Sequence, residues 1–202
     1  RIGAQSVFFY SVYSTYRDLG RGGYSAQEQS FWQLASAPFR PRFLLRADVI
    51  LPLLVAGLYA NAGQVNPTLV SPGIKKKHAA LNVGVLSYNA AVGEEAFFRG
   101  YLNHTWSKSW GAWTGGLAQA GLFGIIHSDG SSGSILVPTL FGLYSGYLHH
   151  RSGFDIRPNI ALHFWWDIII LAAQVRGWRE DRRVQFNQRE IHYAPVTFLF
   201  QF

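Results

Sequence analysis

The sequence predicts an all-α fold: a polytopic transmembrane helical bundle with amphipathic helices at its N-terminus. Three observations carry that expectation. Hydrophobic residues make up 49% of the 202-residue chain and charged residues only 14%, well below the roughly 25% of soluble domains. Five apolar segments succeed one another at about 43–60, 79–103, 110–127, 134–149 and 158–174, separated by basic or Gly-rich linkers. Ionisable side chains stand inside three of them, where ionisation costs about 2.5–3.5 kcal/mol on insertion scales, so such groups must be paired, hydrated or functional.

In order along the chain, residues 1–42 read as an interfacial segment. Val7, Phe8, Phe9, Val12, Tyr13 and Tyr16 suggest a short helix ending near the Gly20–Gly23 turn, and a second helix is expected from about Ser25 to Ala37, stopped by Pro38 and Pro41. The transmembrane core is expected over 43–174. A span needs about 20 residues. Several of the five segments are shorter, but flanking Trp, Tyr and Arg extend them by snorkelling. The mean hydropathy of +0.05 is low for an embedded protein because apolar blocks alternate with basic ones. Gly116, Ala120 and Gly124, and likewise Gly142 and Gly146, place small residues on one helix face, which predicts close packing there. Residues 175–202 read as a basic and aromatic tail.

The formal charge of +7 raises nucleic-acid binding, but the cations sit between apolar blocks rather than along one face, where they suit anionic lipid headgroups. No nucleic-acid partner is expected; membrane lipid is. There is no Cys, and no Met even at position 1, so Arg1 does not read as a translation start. With five spans, Lys75–Lys77 and the arginines after 175 give one side eight cations against five on the other, which predicts that side to be cytoplasmic.

The chemistry concentrates in three stripes. Glu95 and Arg99 are four residues apart and share a face, while Glu94 is turned about 100° away. Phe123 and His127, and His163 and Asp167, repeat the four-residue step. A bundle can converge these stripes on one pocket, where a carboxylate and an imidazole can activate water. The same donors could instead bind zinc, although no HExxH occurs. His104, His149, His150 and His192 lie near segment ends and read as solvated or interfacial. Asp48 and Arg46 read as a local pair. The loop after His127, with Ser131-Ser132-Gly133, reads as a flexible lid.

Glu94-Glu95-Ala96-Phe97-Phe98-Arg99-Gly100 resembles the EExxxRG motif of the CAAX prenyl endopeptidase and bacteriocin-processing (CPBP) family. Phe123-Gly124-Ile125-Ile126-His127 resembles that family's FxxxH motif, and His163-Phe164-Trp165-Trp166-Asp167 its HxxxN/D motif. The resemblance covers about 79–174. It implies a metal-free glutamate endopeptidase with no cofactor, acting on a membrane-associated peptide or protein. Glu94 and His127 would activate the water, Glu95 would pair with Arg99 for support, and His163 and residue 167 would stabilise the oxyanion. Processing enzymes of the family carry Asn where this chain has Asp167, a variant associated with bacterial members, which points to a bacterial inner membrane. An ionised Asp167 would repel an oxyanion, so it must be protonated or orient His163 instead. The alternative reading is a non-catalytic scaffold or assembly subunit that docks a membrane-protein partner through residues 1–42 and 192–202.

Overall fold

The computed structural model describes residues 29–62, 79–128 and 135–180, together with Ser14 and Arg17. Among the described residues the ordered elements are all helical. The helix expected over Val7–Tyr16 (Ser14 apart), the Lys75–Lys77 patch, the lid loop after Ser128 and the tail beyond 180 lie outside them.

The first helix whose bounds fall among the described residues, α1, is Phe31–Ala35. Ser30 and Gln33 form a capping box: the Ser30 hydroxyl accepts from the Gln33 amide and the Gln33 side chain accepts from the Ser30 amide. Two donors that a helix start leaves unpaired are thereby satisfied. The helix expected from Ser25 is therefore shorter, since Gln29 and Ser30 are not helical. Pro38 and Pro41 do not merely stop it. Pro38 sits early in a 3₁₀ turn over Ala37–Phe39, and Pro41 opens a second short helix, α2 (Pro41–Leu44); at such positions the missing N–H forfeits no hydrogen bond.

Helix α3 (Ala47–Asn61) contains Pro52. Proline there cannot bond the carbonyl of residue 48, and the Tyr144 hydroxyl donates to that carbonyl instead, at 2.6 Å. Helix α4 (Ala79–Glu95) runs into a π-helical stretch over Ala96–Asn103 and then α5 (His104–Trp110). The segments expected as 79–103 and 110–127 are thus divided later than the pattern suggests, at Gly111. Its φ of 85° is a conformation that glycine adopts without strain. Helix α6 (Ala112–Ile126) follows, then α7 (Leu136–Arg151) and α8 (Arg157–Glu180).

Helix α8 is the centre of the bundle. Ile160, Ala161 and Phe164 pack with Leu34, Ala37 and Phe43 of the N-terminal segment and Ala91, Val92 and Ala96. Leu162, on the other side, packs with Val49, Phe98, Leu102, Phe123, Phe141 and Leu148. His163 lies between the two clusters. The small-residue stripes form the α6–α7 contact: a Cβ on Gly142 would lie 3.0 Å from Ala120 Cα, and one on Gly124 would overlap the Thr139 hydroxyl. No helix among the described residues is long and apolar enough to cross a membrane.

Candidate active site

The π-helical stretch places Glu94 and Glu95 at its entrance and Arg99 inside it. Its backbone turns are wider than α-helical ones, and Phe98, Arg99, Leu102 and Asn103 face inward while Phe97 and Tyr101 face out. Arg99 is fully buried. Its Nη1 donates to Glu95 Oε1 at 2.9 Å, and its guanidinium lies 4.6 Å from the Phe123 ring centre and 5.8 Å from those of Phe98 and Phe141. An arginine is tolerated without solvent because an ion pair and three aromatic faces replace its hydration. The Gly142 carbonyl receives Arg99 Nη2 at 3.5 Å and Gln119 Nε2 at 2.9 Å, which ties the cation to α6 and α7.

His127 caps the end of α6. Its Nδ1 donates to the Phe123 carbonyl at 2.7 Å, and its ring stacks on Phe123 with centres 3.9 Å apart. A carbonyl only accepts, so Nδ1 carries a proton. The opposite nitrogen, Nε2, lies 3.1 Å from Glu94 Oε2. Two acceptors would repel at that distance, so one proton lies between them, on the ring or on the carboxyl.

His163 is fixed the same way from another helix. Its Nδ1 donates to Glu95 Oε1 at 2.7 Å. Its Nε2 then faces Glu94 Oε2 at 3.9 Å and Asp167 Oδ2 at 3.7 Å, both too long for a direct hydrogen bond. Glu94, His127, His163 and Asp167 therefore surround one small volume, with Glu95, Arg99 and Phe123 behind them. Among the described residues, the buried Glu94 Oε1 has no hydrogen-bond partner. Among the described residues, no group of three or more His, Asp and Glu side chains is arranged to hold a metal ion.

Several supporting residues escape a reading of the sequence. Gln119 is fully buried and stands four residues before Phe123, continuing its stripe toward the start of α6. His104 and His149 are also buried, not solvated or interfacial. His149 accepts from the Asn103 amide at Nδ1 and donates from Nε2 to the Phe154 carbonyl, each at 3.1 Å. Phe154 itself is held at a φ of 64°, and its ring lies against His104, His149 and His150.

Residues 76–169 match the family model described as Type II CAAX prenyl endopeptidase Rce1-like. No curated protein and no solved structure matches the chain. The matched stretch contains every side chain of the constellation and leaves α1, α2 and α3 outside. The family is one of peptidases, membrane-embedded and acting on membrane-associated proteins. Over residues 76–169, the chain is thus similar to this CAAX-protease-like family.

Proposed function

We propose that the protein is a glutamate-dependent endopeptidase working within the membrane on a membrane-associated or lipid-anchored peptide. The observation that carries this reading is the 3.1 Å contact between His127 Nε2 and Glu94 Oε2. It commits one oxygen of Glu94 to a shared proton and leaves Oε1 to take a proton from water. The water oxygen bonds to the scissile carbonyl carbon as that proton leaves, and the carbonyl electron pair moves onto its oxygen. His163 Nε2, carrying a proton, donates to this oxyanion. Asp167 assists in protonated form or by orienting His163. Glu94 then hands its proton to the amide nitrogen, the C–N bond breaks, and an acid and an amine leave.

The location within a membrane is supported by an inverted distribution of side chains. Leu51, Leu54, Val55 and Leu58 of α3, Leu117 and Ile125 of α6, and Leu136 and Leu140 of α7 are exposed, while Glu95, Arg99, Asn103 and Gln119 are buried. Apolar surface of that extent is not left to water by a soluble monomer, and ionisable groups in membrane bundles face inward.

Glu94→Gln tests the chemistry. The amide keeps the size of the carboxyl and can donate to His127 Nε2, so the fold should persist. Loss of a general base costs about 10²–10⁴-fold in rate. In native membranes the variant should retain uncleaved protein that the wild type processes. Processing within tenfold of wild type would sink the mechanism.

A further inference from the structure

One end of the bundle is cationic. Arg46 and Arg151 both reach Asp48, at 2.7 and 3.4 Å, and Arg157 holds Asp155 at 2.7 Å. Ser107 lies 3.2 Å from His150, which brings the α5–α6 turn, with Lys108, to the same end. Arg42 and Arg157 both lie over the Phe43 ring, at 4.6 and 5.4 Å, and Arg42 and its near neighbour Arg40 are exposed. Among the described residues, six cations thus share this end with two carboxylates. Trp110 and Trp113 project from the α5–α6 turn, Trp113 with 86% of its surface exposed.

Beyond this rim the outward faces of α3, α6 and α7 are apolar. These helices have 15, 15 and 16 residues. At 1.5 Å per residue these helices are about 22–24 Å long and their apolar faces no taller, against about 30 Å of hydrocarbon in a typical bilayer.

We infer that this surface fits a thin bilayer with anionic headgroups: the arginine rim takes lipid phosphates, and the short helices draw the two leaflets together around α3, α6 and α7. The inference rests on the membrane reading above, not on the peptidase chemistry. Arginines match the charge of phosphate, and tryptophans at the same level suit the headgroup boundary. An acidic protein could satisfy the rim, but it would leave the contiguous apolar faces uncovered; lipid covers both. A helix shorter than the hydrocarbon is accommodated by local thinning. Thinning also serves the site. His127 ends α6 at the far side from the rim, so a lowered membrane surface there brings water and a polar peptide backbone closer to Glu94.

The test is the melting temperature of the full chain in vesicles, followed by loss of helical circular dichroism. Dimyristoyl phosphatidylglycerol should give the highest value. Dierucoyl phosphatidylglycerol, with longer chains, and dimyristoyl phosphatidylcholine, without net charge, should both give lower ones. Arg40→Gln with Arg42→Gln should keep the chain-length dependence and lose most of the preference for phosphatidylglycerol. Equal melting in the two headgroups, or the highest melting in dierucoyl lipid, overturns the inference. A chain stripped from every vesicle by alkaline carbonate overturns the membrane reading together with it.

Discussion

His163 Nδ1 lies 2.7 Å from Glu95 Oε1, the same oxygen that accepts from Arg99 Nη1 at 2.9 Å. One carboxylate oxygen thus joins α8 to the π-helical stretch and sets which nitrogen of His163 faces Glu94. The two adjacent glutamates consequently differ in what they hold. Glu95→Gln removes the full negative charge that touches a buried guanidinium, and breaking such a pair costs about 3–5 kcal/mol. Glu94→Gln preserves the contact with His127. Thermal unfolding should therefore separate the variants, with Glu95→Gln melting well below wild type and Glu94→Gln close to it. Comparable melting of the two would remove the distinction.

The four-residue steps of Glu95–Arg99, Phe123–His127 and His163–Asp167 are visible in sequence because a single helix face suffices to define them. The bond from His163 to Glu95 is not, because it depends on how α8 packs against α4. His104 and His149 illustrate the same limit. Each stands near the end of an apolar segment, where a solvated imidazole and a buried one look alike. Only Phe154, brought back by a left-handed turn, and Asn103, from the π-helical stretch, decide their burial. The start of α1 is legible in the sequence, since Ser30 followed three residues later by Gln33 is a capping-box signature. Conversely, the end of α5 at Gly111 is obscured by the Trp106–Trp110 stretch, whose alternation of aromatic and polar residues breaks the apolar pattern before the helix ends.

Phe123 lies between two groups of the constellation, stacked on His127 at 3.9 Å and beneath Arg99 at 4.6 Å. Phe123→Leu keeps apolar bulk but removes the π-face. A desolvated cation–π contact contributes about 2 kcal/mol, so the variant should lose roughly that much stability in denaturant unfolding. On the proposed mechanism, substrate cleavage should also fall, because His127 loses the surface that orients its ring. A loss no larger than that of a leucine swap in the apolar core would mean that the aromatic face plays no special part.

Glycine substitutions should divide by location. On Gly115, a Cβ would overlap the backbone of Trp106 and Ser107, whereas on Gly121 it would meet nothing within 4 Å. Gly115→Ala must push α5 from α6, and overpacking of this kind costs about 1–3 kcal/mol. Gly121→Ala should instead raise stability by up to about 1 kcal/mol through helix propensity. Opposite shifts in melting temperature are expected, and shifts of the same sign would contradict the α5–α6 contact.

The N-terminal segment lies outside the family match, yet it bridges the two helices that carry the carboxylates and His163. The Tyr88 hydroxyl of α4 donates to the Ala35 carbonyl at 3.0 Å, and Trp165 Nε1 of α8 donates to the Pro38 carbonyl at 2.8 Å. Both acceptors sit where α1 ends and the 3₁₀ turn begins, so helix breaks leave these carbonyls for side chains to satisfy. Leu34 and Ala37 are fully buried beside them, which makes docking of the segment one cooperative event. Tyr88→Phe removes a single hydrogen bond, about 1 kcal/mol, while Trp165→Phe also removes packing and should cost more. Because both act on the same docked segment, the double variant should lose less than the sum of the single losses. Hydrogen exchange gives the local readout. Amides of residues 31–44 should exchange faster in each variant, while those of α6 and α7 keep their protection. Uniform acceleration across all helices, or strictly additive losses, would show that the segment is not a separate clamp on α4 and α8.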